Sequence, residues 1–443
     1  MTRPSAERTA LPVFHEPVFN EGQQETVPPY FSVAHPSDNA IYAQIRDLLT
    51  KDVVAFPQSR AADGDLYPLA TAFGDYGPAV IAAVQSAGQI VIDILGDSGA
   101  SQANYYPDEL SVAASVTQYI NSAQGNDRPT FMYHLGDIVY DFGEAKYYFD
   151  QFYSPYRNYP APIIAIPGNH DSFIVPGTPA GETPLEVFMR NFCAEQPVVT
   201  AEAKSLHRTA MTQPGVYFTL DAPFIRFIGL FSNALEDPGV ISSEQGRWAA
   251  VPDFQLDYLK AQLTRVKTEN YQGAVVITTH HPCFSYTSAA GGSGGGHGSS
   301  LAVLAQIDEI CQSVGVYPHA FLSGHAHNMQ RYTRTVTFNG ASLQVPFIVA
   351  GASGHHVNAL VSARRGQKSA EPAKGSDVTY MDQAPVLPGA KLVLENYEDT
   401  DYGYLRATVT AQTLRFDYYT ATLTASGAPY DSVTIDLAAR TAS

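Results

Sequence analysis

Cysteine is scarce in this chain, 3 residues in 443, and Cys193, Cys283 and Cys311 show neither paired nor metal-site spacing. A disulfide framework is excluded as the basis of the fold, and a reducing compartment is favoured. Basic charge is also in deficit: 26 Lys and Arg face 43 Asp and Glu, a formal net charge of −17. Nucleic-acid binders carry a basic footprint, so neither DNA nor RNA is an expected partner. No stretch reaches the ~18 consecutive apolar residues of a membrane span. The opening MTRPSAERTALPVFHEP lacks the apolar run of a signal peptide. The expectation is a cytoplasmic protein with no membrane partner, exported only if a leader was removed. Internal repeats are lacking too, and the composition leaves the oligomeric state open.

What the chain does have is material for a large core, with 45% hydrophobic and 11% aromatic residues. Residues 1–85 read as an N-terminal extension of unknown role, with a helix predicted at Asn39–Lys51. From Gln89 onward, short apolar and β-branched runs recur: QIVIDIL (89–95), TFMYHL (130–135), PIIAI (162–166), IRFIGLF (225–231), AVVITT (274–279) and HAFLS (319–323). Such runs have the look of buried parallel strands. Between them Asp253–Lys267 reads as a helix, with Phe254, Leu256, Leu259, Leu263 and Val266 on one face. Alternating strands and helices indicate an α/β domain over 86–443. Its last part, 404–437, is read as consecutive strands, and the glycine-rich tract 289–300 as a flexible loop. That tract lacks the Lys-Ser/Thr of a phosphate-binding P-loop.

Ligands of a parallel α/β sheet bind beyond the carboxyl ends of its strands. Five strand ends here are followed by Gly96-Asp97-Ser98-Gly99, Gly136-Asp137-Ile138-Val139-Tyr140, Gly168-Asn169-His170-Asp171, His280-His281-Pro282 and Gly324-His325-Ala326-His327. Oxygen and imidazole donors of these kinds suit iron, zinc or manganese. The glycine before most of them is expected to turn the backbone sharply, aiming a short side chain into the crevice. Asp97, Asp137, Tyr140, Asn169, His280, His325 and His327 make seven candidate ligands. One metal does not need seven, whereas two sharing a carboxylate do. Two metals ~3.5–4 Å apart form a clamp for in-line displacement at phosphorus.

Charge balance constrains the valence. Two carboxylates, a tyrosinate and a bridging hydroxide would neutralise two divalent ions, leaving little attraction for a phosphate dianion. A trivalent ion beside a divalent one leaves a net positive charge. A tyrosinate also needs a strongly acidic metal, since free tyrosine titrates near ~10. Both points favour Fe(III) with a divalent partner.

The ordered set GDSG, GDIVY, GNHD, ITTHHP and GHAH resembles the five motifs of the purple acid phosphatases, within the calcineurin-like metallophosphoesterases. The resemblance covers about 89–360, with the strand-rich C-terminus also similar. It implies a four-layer α/β/β/α sandwich with two mixed β-sheets. It implies hydrolysis of phosphomonoesters, small-molecule or phosphopeptide, by hydroxide at an Fe(III)–M(II) centre, M being Fe, Zn or Mn. Asp97, Asp137, Tyr140 and His327 are similar to the ferric ligands. Asp137 would bridge, and Asn169, His280 and His325 would complete the divalent site. Most metallophosphoesterases carry Asp-x-His in the first motif, and this chain has Gly99 where that histidine would be; Tyr140 fills the vacancy, as in the purple enzymes. The fourth motif has Ile277 where the family has valine. By the same resemblance His170 contacts substrate; Asn169 and His281 are read as further substrate contacts lining the pocket. His170 or His297, the latter on the glycine-rich loop, protonates the leaving group. A phosphodiesterase on the same scaffold, or a silent binding protein, are the alternatives. Asp75, in a second Gly-Asp-x-Gly, reads as a turn, and His134 as a support for Asp137.

Overall fold

The computed structural model describes residues 16–19, 58–61, 64–172, 185–233, 235, 237–286, 297–360, 372–421 and 427–443. The helix expected at Asn39–Lys51 and residues 289–296 of the glycine-rich tract lie outside them. The described strands are, in chain order, β1 (Tyr67–Pro68), β2 (Gln89–Leu95), β3 (Phe131–His134), β4 (Ile163–Ala165), β5 (Phe218–Ala222), β6 (Ile225–Gly229), β7 (Ala274–Thr278) and β8 (Ala320–Ser323). They continue with β9 (Met329–Phe338), β10 (Ala341–Ala350), β11 (Ser376–Asp377), β12 (Lys391–Glu398), β13 (Gly403–Thr410), β14 (Thr413–Thr420), β15 (Asp431–Asp436) and β16 (Thr441–Ala442). The described α-helices are α1 (Gly77–Ala87), α2 (Tyr106–Ser122), α3 (Glu186–Phe192), α4 (Phe254–Thr268) and α5 (Leu301–Val314).

Two mixed sheets result. One has nine strands in the order β1-β5-β6-β7-β8-β10-β9-β12-β11, the other seven in the order β16-β15-β14-β13-β2-β3-β4. The expected α/β class and two-sheet sandwich are what is found. Two of the parallel steps that carry the site, β2 to β3 and β7 to β8, are crossed by a helix, α2 and α5, whereas β3 to β4 is crossed only by short 3₁₀ and π turns. All three apolar runs from Gln89 to Ile166 become neighbouring strands of the smaller sheet. Their side chains are buried on both faces, which is why the runs show no polar alternation.

The exception inside β2 is Asp93. It lies opposite Arg406 of β13, 2.9 Å away, and accepts a hydrogen bond from the Tyr159 hydroxyl at 3.1 Å. Burying a carboxylate is tolerable only with such partners; removing one of a buried pair costs roughly 3–5 kcal/mol. Between the sheets the Tyr133 and Phe227 rings stack at 4.7 Å, part of one continuous core.

Helix α4 begins and ends one residue later than the hydrophobic pattern suggests, and its inner face is partly polar. Gln255 exchanges hydrogen bonds of 2.9 Å with both backbone groups of Phe231, and Gln262 donates to the Gly64 carbonyl at 2.9 Å. Phe254 and Leu256 are only partly buried beside them. The described part of the N-terminal extension is tied to the larger sheet: β1 pairs in parallel with β5, and the Arg60 guanidinium donates to the carbonyls of Cys193, Ala194 and Gln213. No described helix is long and apolar enough to cross a membrane. The three cysteines are buried and unpaired.

Candidate dinuclear metal centre

Register brings the motifs to one place. Leu95 of β2 is level with His134 of β3, and His134 with Ala165 of β4, so Asp97, Asp137 and Asn169 leave the same edge of the smaller sheet. In the larger sheet Thr278 is level with Leu322, and Ser323 with Val349, so His280, His325, His327 and the segment after β10 leave a common edge. Hydrogen bonds stitch the two edges together. Tyr133 and Thr278 hydroxyls meet at 2.8 Å, the Ser353 amide donates to Gly96 carbonyl at 3.2 Å, and the His355 amide to Asp97 carbonyl at 3.1 Å.

Each buried carboxylate is anchored by one oxygen and presents the other. The His325 amide donates to Asp97 Oδ2 at 2.7 Å, and the His170 amide to Asp137 Oδ1 at 2.9 Å. The remaining oxygens converge on the Tyr140 hydroxyl, which lies 3.2 Å from Asp97 Oδ1, 3.0 Å from Asp137 Oδ2 and 3.1 Å from His327 Nε2. Tyr140 itself is fully buried. Its ring lies flat on His355, with centroids 3.7 Å apart and planes 5° off parallel, and leans on His170 at 4.4 Å. The Gln151 side chain accepts from the Tyr140 amide at 2.8 Å and donates to its carbonyl at 2.7 Å, holding the backbone from both sides.

The imidazoles are oriented by their outer nitrogens. His280 Nδ1 is 2.9 Å from the Leu135 carbonyl, and His327 Nδ1 is 3.4 Å from His356 Nε2, so Nε2 of each is turned inward. This is the way metal-binding histidines are usually fixed. His280 Nε2 lies 3.1 Å from Asp137 Oδ2 without the alignment of a hydrogen bond, and His325 Nε2 is likewise buried without one.

Asp97, Asp137 and His327 bring ligand atoms within 4.8 Å of one another, and so do Asp137, His280 and His325. Asp137 belongs to both groups, the position a shared ligand requires. Asn169 is fully buried in the same turn as His170. This donor set fits two cations. Buried imidazole nitrogens without partners each cost about 1–3 kcal/mol, a cost that a coordinated ion removes.

Without metal, protons take the place of cations. Burial, partly offset by His280, and then the Asp137 charge push the Asp97 carboxyl up to about 8. Burial would also raise Asp137, but His280 and His170 outweigh it and hold that carboxyl below the usual range. Burial alone would lower His280, yet Asp137 and Asp97 raise it to about 9. Burial, then Asp137 and Asp97, push the Tyr140 phenol well above its ordinary value. Burial and the neighbouring histidines keep His325 and His327 neutral, as ligands must be. Loading a metal therefore releases protons, and weakens as the pH falls.

The backbone is bent differently from the sequence expectation. Of the glycines preceding ligands, Gly136 alone has a positive φ, +100°. The left-handed turn is instead made by the ligand residues themselves: φ is +56° at Asp97, +55° at Asp137, +69° at His325 and +46° at His327. Such strain costs of order 1–3 kcal/mol per residue and gathers where function demands it. Gly168 and Gly324 serve close approach, since a Cβ there would collide with a carboxylate oxygen of Asp137 or Asp97 respectively.

Asp171, which sequence reasoning passed over, organises two motifs. Its carboxylate accepts the amides of Ile138 at 3.0 Å, Val139 at 3.1 Å and Gly168 at 2.9 Å. Burial and Asp137 push it up to about 7 all the same. Asp171→Ala would orphan three buried amides at about 1–3 kcal/mol each. Thermal or urea unfolding should show a loss of several kcal/mol, with Asp171→Asn intermediate; a loss below about 1 kcal/mol would mean the amides find other acceptors.

His134 supports the second motif, though not through Asp137. Its Nδ1 accepts the Gly136 amide at 3.1 Å, which puts the ring proton on Nε2, facing Ser98 Oγ at 2.9 Å. His170 places Nδ1 2.7 Å from the Asp141 carbonyl, with its ring against Tyr140. His297 lies over the centre, its ring 4.0 Å from that of His325 and 5.6 Å from that of His327. His281 sits beside His325, but both its nitrogens are taken, Nδ1 by Ser232 Oγ at 2.8 Å and Nε2 by the Leu235 carbonyl at 2.6 Å. It therefore has no nitrogen to offer a substrate, contrary to the sequence expectation, and acts as a buttress. Asp75 is remote from these residues in the turn before α1, its amide bonded to Glu16 at 2.9 Å.

Residues 90–329 match the family model described as calcineurin-like phosphoesterase. None of the curated proteins matches the chain. Among solved structures, one described as GAP50, the anchor in the inner membrane complex of Plasmodium, is 12% identical with a TM-score of 0.48, covering 79% of this chain and 89% of that one. A structure of PhoD is 13% identical with a TM-score of 0.43, covering 79% and 70% respectively. A conserved uncharacterized protein from Streptococcus pneumoniae, described as a predicted phosphoesterase, is 9% identical with a TM-score of 0.26, covering 79% and 98%.

Proposed function

The chain belongs to the calcineurin-like phosphoesterase family, and we propose that within it this protein is a phosphomonoesterase of the purple acid phosphatase kind. The observation that carries this reading is the Tyr140 hydroxyl, set between Asp97, Asp137 and His327 at 3.0–3.2 Å. With Gly99 in place of a first-motif histidine, the phenol is the donor that completes that group. Asp97, Asp137, Tyr140 and His327 would hold Fe(III). Asp137, Asn169, His280 and His325 would hold a divalent ion, Fe, Zn or Mn. When bound, the pair supplies charge neutralisation on phosphate oxygens and water acidic enough to attack at neutral pH.

The chain's own groups do the rest. Anchored carboxylates and oriented imidazoles keep the ligand atoms fixed, so little reorganisation accompanies reaction. Asn169 and His170 Nε2 face the phosphate and stabilise charge as it develops. His297 gives its proton to the departing alcohol, a contribution of about 10²–10⁴ in rate where the leaving group is a poor one. Catalysis is assigned to the span 86–443, into which β1 and helix α1 are built by the β1–β5 pairing and by α1 running from Gly77 to Ala87, and the substrate is a small-molecule or peptide-borne phosphate ester.

The test is hydrolysis of p-nitrophenyl phosphate against bis(p-nitrophenyl) phosphate by protein loaded with iron and a divalent metal, from about pH 4 to about pH 9. Preference for the monoester on the acidic side is expected. Preference for the diester would make the protein a phosphodiesterase, and turnover of neither would remove the enzymatic reading.

A further inference from the structure

His325 belongs to two clusters: Asp137 and His280 on one side, Asp237 and His297 on the other. Its Nε2 is the buried atom concerned, 3.6 Å from Asp237 Oδ1. A single imidazole nitrogen has one lone pair and serves one cation. Given to the inner group, it leaves Asp237 and His297 to act on each other.

Their geometry is that of a clasp. Asp237 Oδ2 lies 3.4 Å from His297 Nδ1, while its Oδ1 accepts the Gly298 amide at 3.1 Å. Two residues further along each segment, the Ser300 hydroxyl accepts the Gly239 amide at 2.8 Å, and the Ser300 amide donates to the Pro282 carbonyl at 2.9 Å. The chain at 297–300 is thus held at successive points by 237–239 and by the segment carrying His280. With Nδ1 facing Asp237, His297 Nε2 is on the far side of the ring. That ring is packed on His325, a candidate ligand. An acid that must meet a leaving oxygen needs such fixing, since misplacement by about 1 Å can cost 10²-fold in rate.

We propose that Asp237 is the positioning residue that clasps His297 and Gly298 to the metal centre and aims His297 Nε2 at the leaving oxygen; this rests on the proton-donor reading of His297. No covalent step is assigned to Asp237.

Three measurements on the metal-loaded full chain test it. Amide hydrogen exchange at Gly298 should accelerate in Asp237→Ala, because that amide loses its acceptor. Turnover of an alkyl phosphate should fall by about 100-fold in Asp237→Ala and in His297→Ala alike, and p-nitrophenyl phosphate by only a few fold. The double variant should be no worse than His297→Ala, since one residue acts through the other. Metal content should stay at the wild-type level. Unchanged exchange at Gly298 would overturn the clasp. Loss of a metal equivalent in Asp237→Ala would overturn it too, by making Asp237 a ligand. Equal losses on both substrates in His297→Ala would strike down the proton-donor reading instead, with Gly298 exchange still deciding the clasp.

Discussion

Asp137→Asn should abolish turnover and empty both halves of the centre. Asp137 is the one residue common to the Asp97–His327 and His280–His325 groups. Its Oδ2 is 3.0 Å from the Tyr140 hydroxyl and 3.1 Å from His280 Nε2. Asparagine keeps the shape, and its carbonyl can still accept the His170 amide, so the fold should survive. It cannot supply the negative charge that draws two cations together. The metals are worth several kcal/mol of transition-state stabilisation, which at 1.36 kcal/mol per tenfold is about a thousandfold or more in rate. Steady-state kinetics and metal analysis on the same sample check it. Retention of either activity or a full metal complement would show that the shared ligand lies elsewhere.

Tyr140→Phe should leave the fold intact and remove the colour of the iron-loaded protein. The phenyl ring would keep its place on His355 and His170, and the Gln151 clamp acts on backbone atoms that do not change. Only the hydroxyl goes, and with it the tyrosinate-to-Fe(III) absorption in the visible. Since burial, Asp137 and Asp97 hold this phenol well above its ordinary value, an acidic metal is needed to displace its proton, and the colour should bleach when iron is withdrawn. A band that persists in Tyr140→Phe, or full iron occupancy with no band in the wild type, would rule out the phenolate as ligand.

Legible from the amino-acid pattern are the strands whose burial on both faces left an unbroken apolar run, β2, β3, β4, β6, β7 and β8, which fall within the runs at 89–95, 130–135, 162–166, 225–231, 274–279 and 319–323, and β13, β14 and β15 are the consecutive strands expected over 404–437. The long hairpin of β9 and β10 went unread, although its turn was marked. Phe338 pairs with Ala341, and the two residues between are Asn339 and Gly340, both at positive φ, the strongest short-range hairpin signal there is. Helix α2 was also passed over; its mixed surface, with Tyr106, Glu109 and Ser115 buried among valines and alanines, gives no clean apolar stripe.

At the site, sequence spacing indicated which residues end strands, and parallel register then made those ends converge. Sequence reasoning erred where the outcome depends on tertiary partners. His281 reads from the sequence as a substrate contact, and in the fold Ser232 and Leu235 take both its nitrogens. Asp171 looked like the tail of a motif but gathers amides from two of them. Asp237, more than fifty residues from any other motif except His280, carried no signal at all; only the folded chain puts its carboxylate 3.4 Å from His297.

The central claim is that one set of buried side chains holds two metal ions around Asp137. Counting iron and divalent metal per chain by elemental analysis, in wild type and Asp137→Asn prepared alike, tests it most directly. Two ions per wild-type chain, one of them iron, and their joint loss in the variant is the predicted result; a wild-type chain that binds one ion or none under saturating metal, or a variant that loses only one, would contradict it.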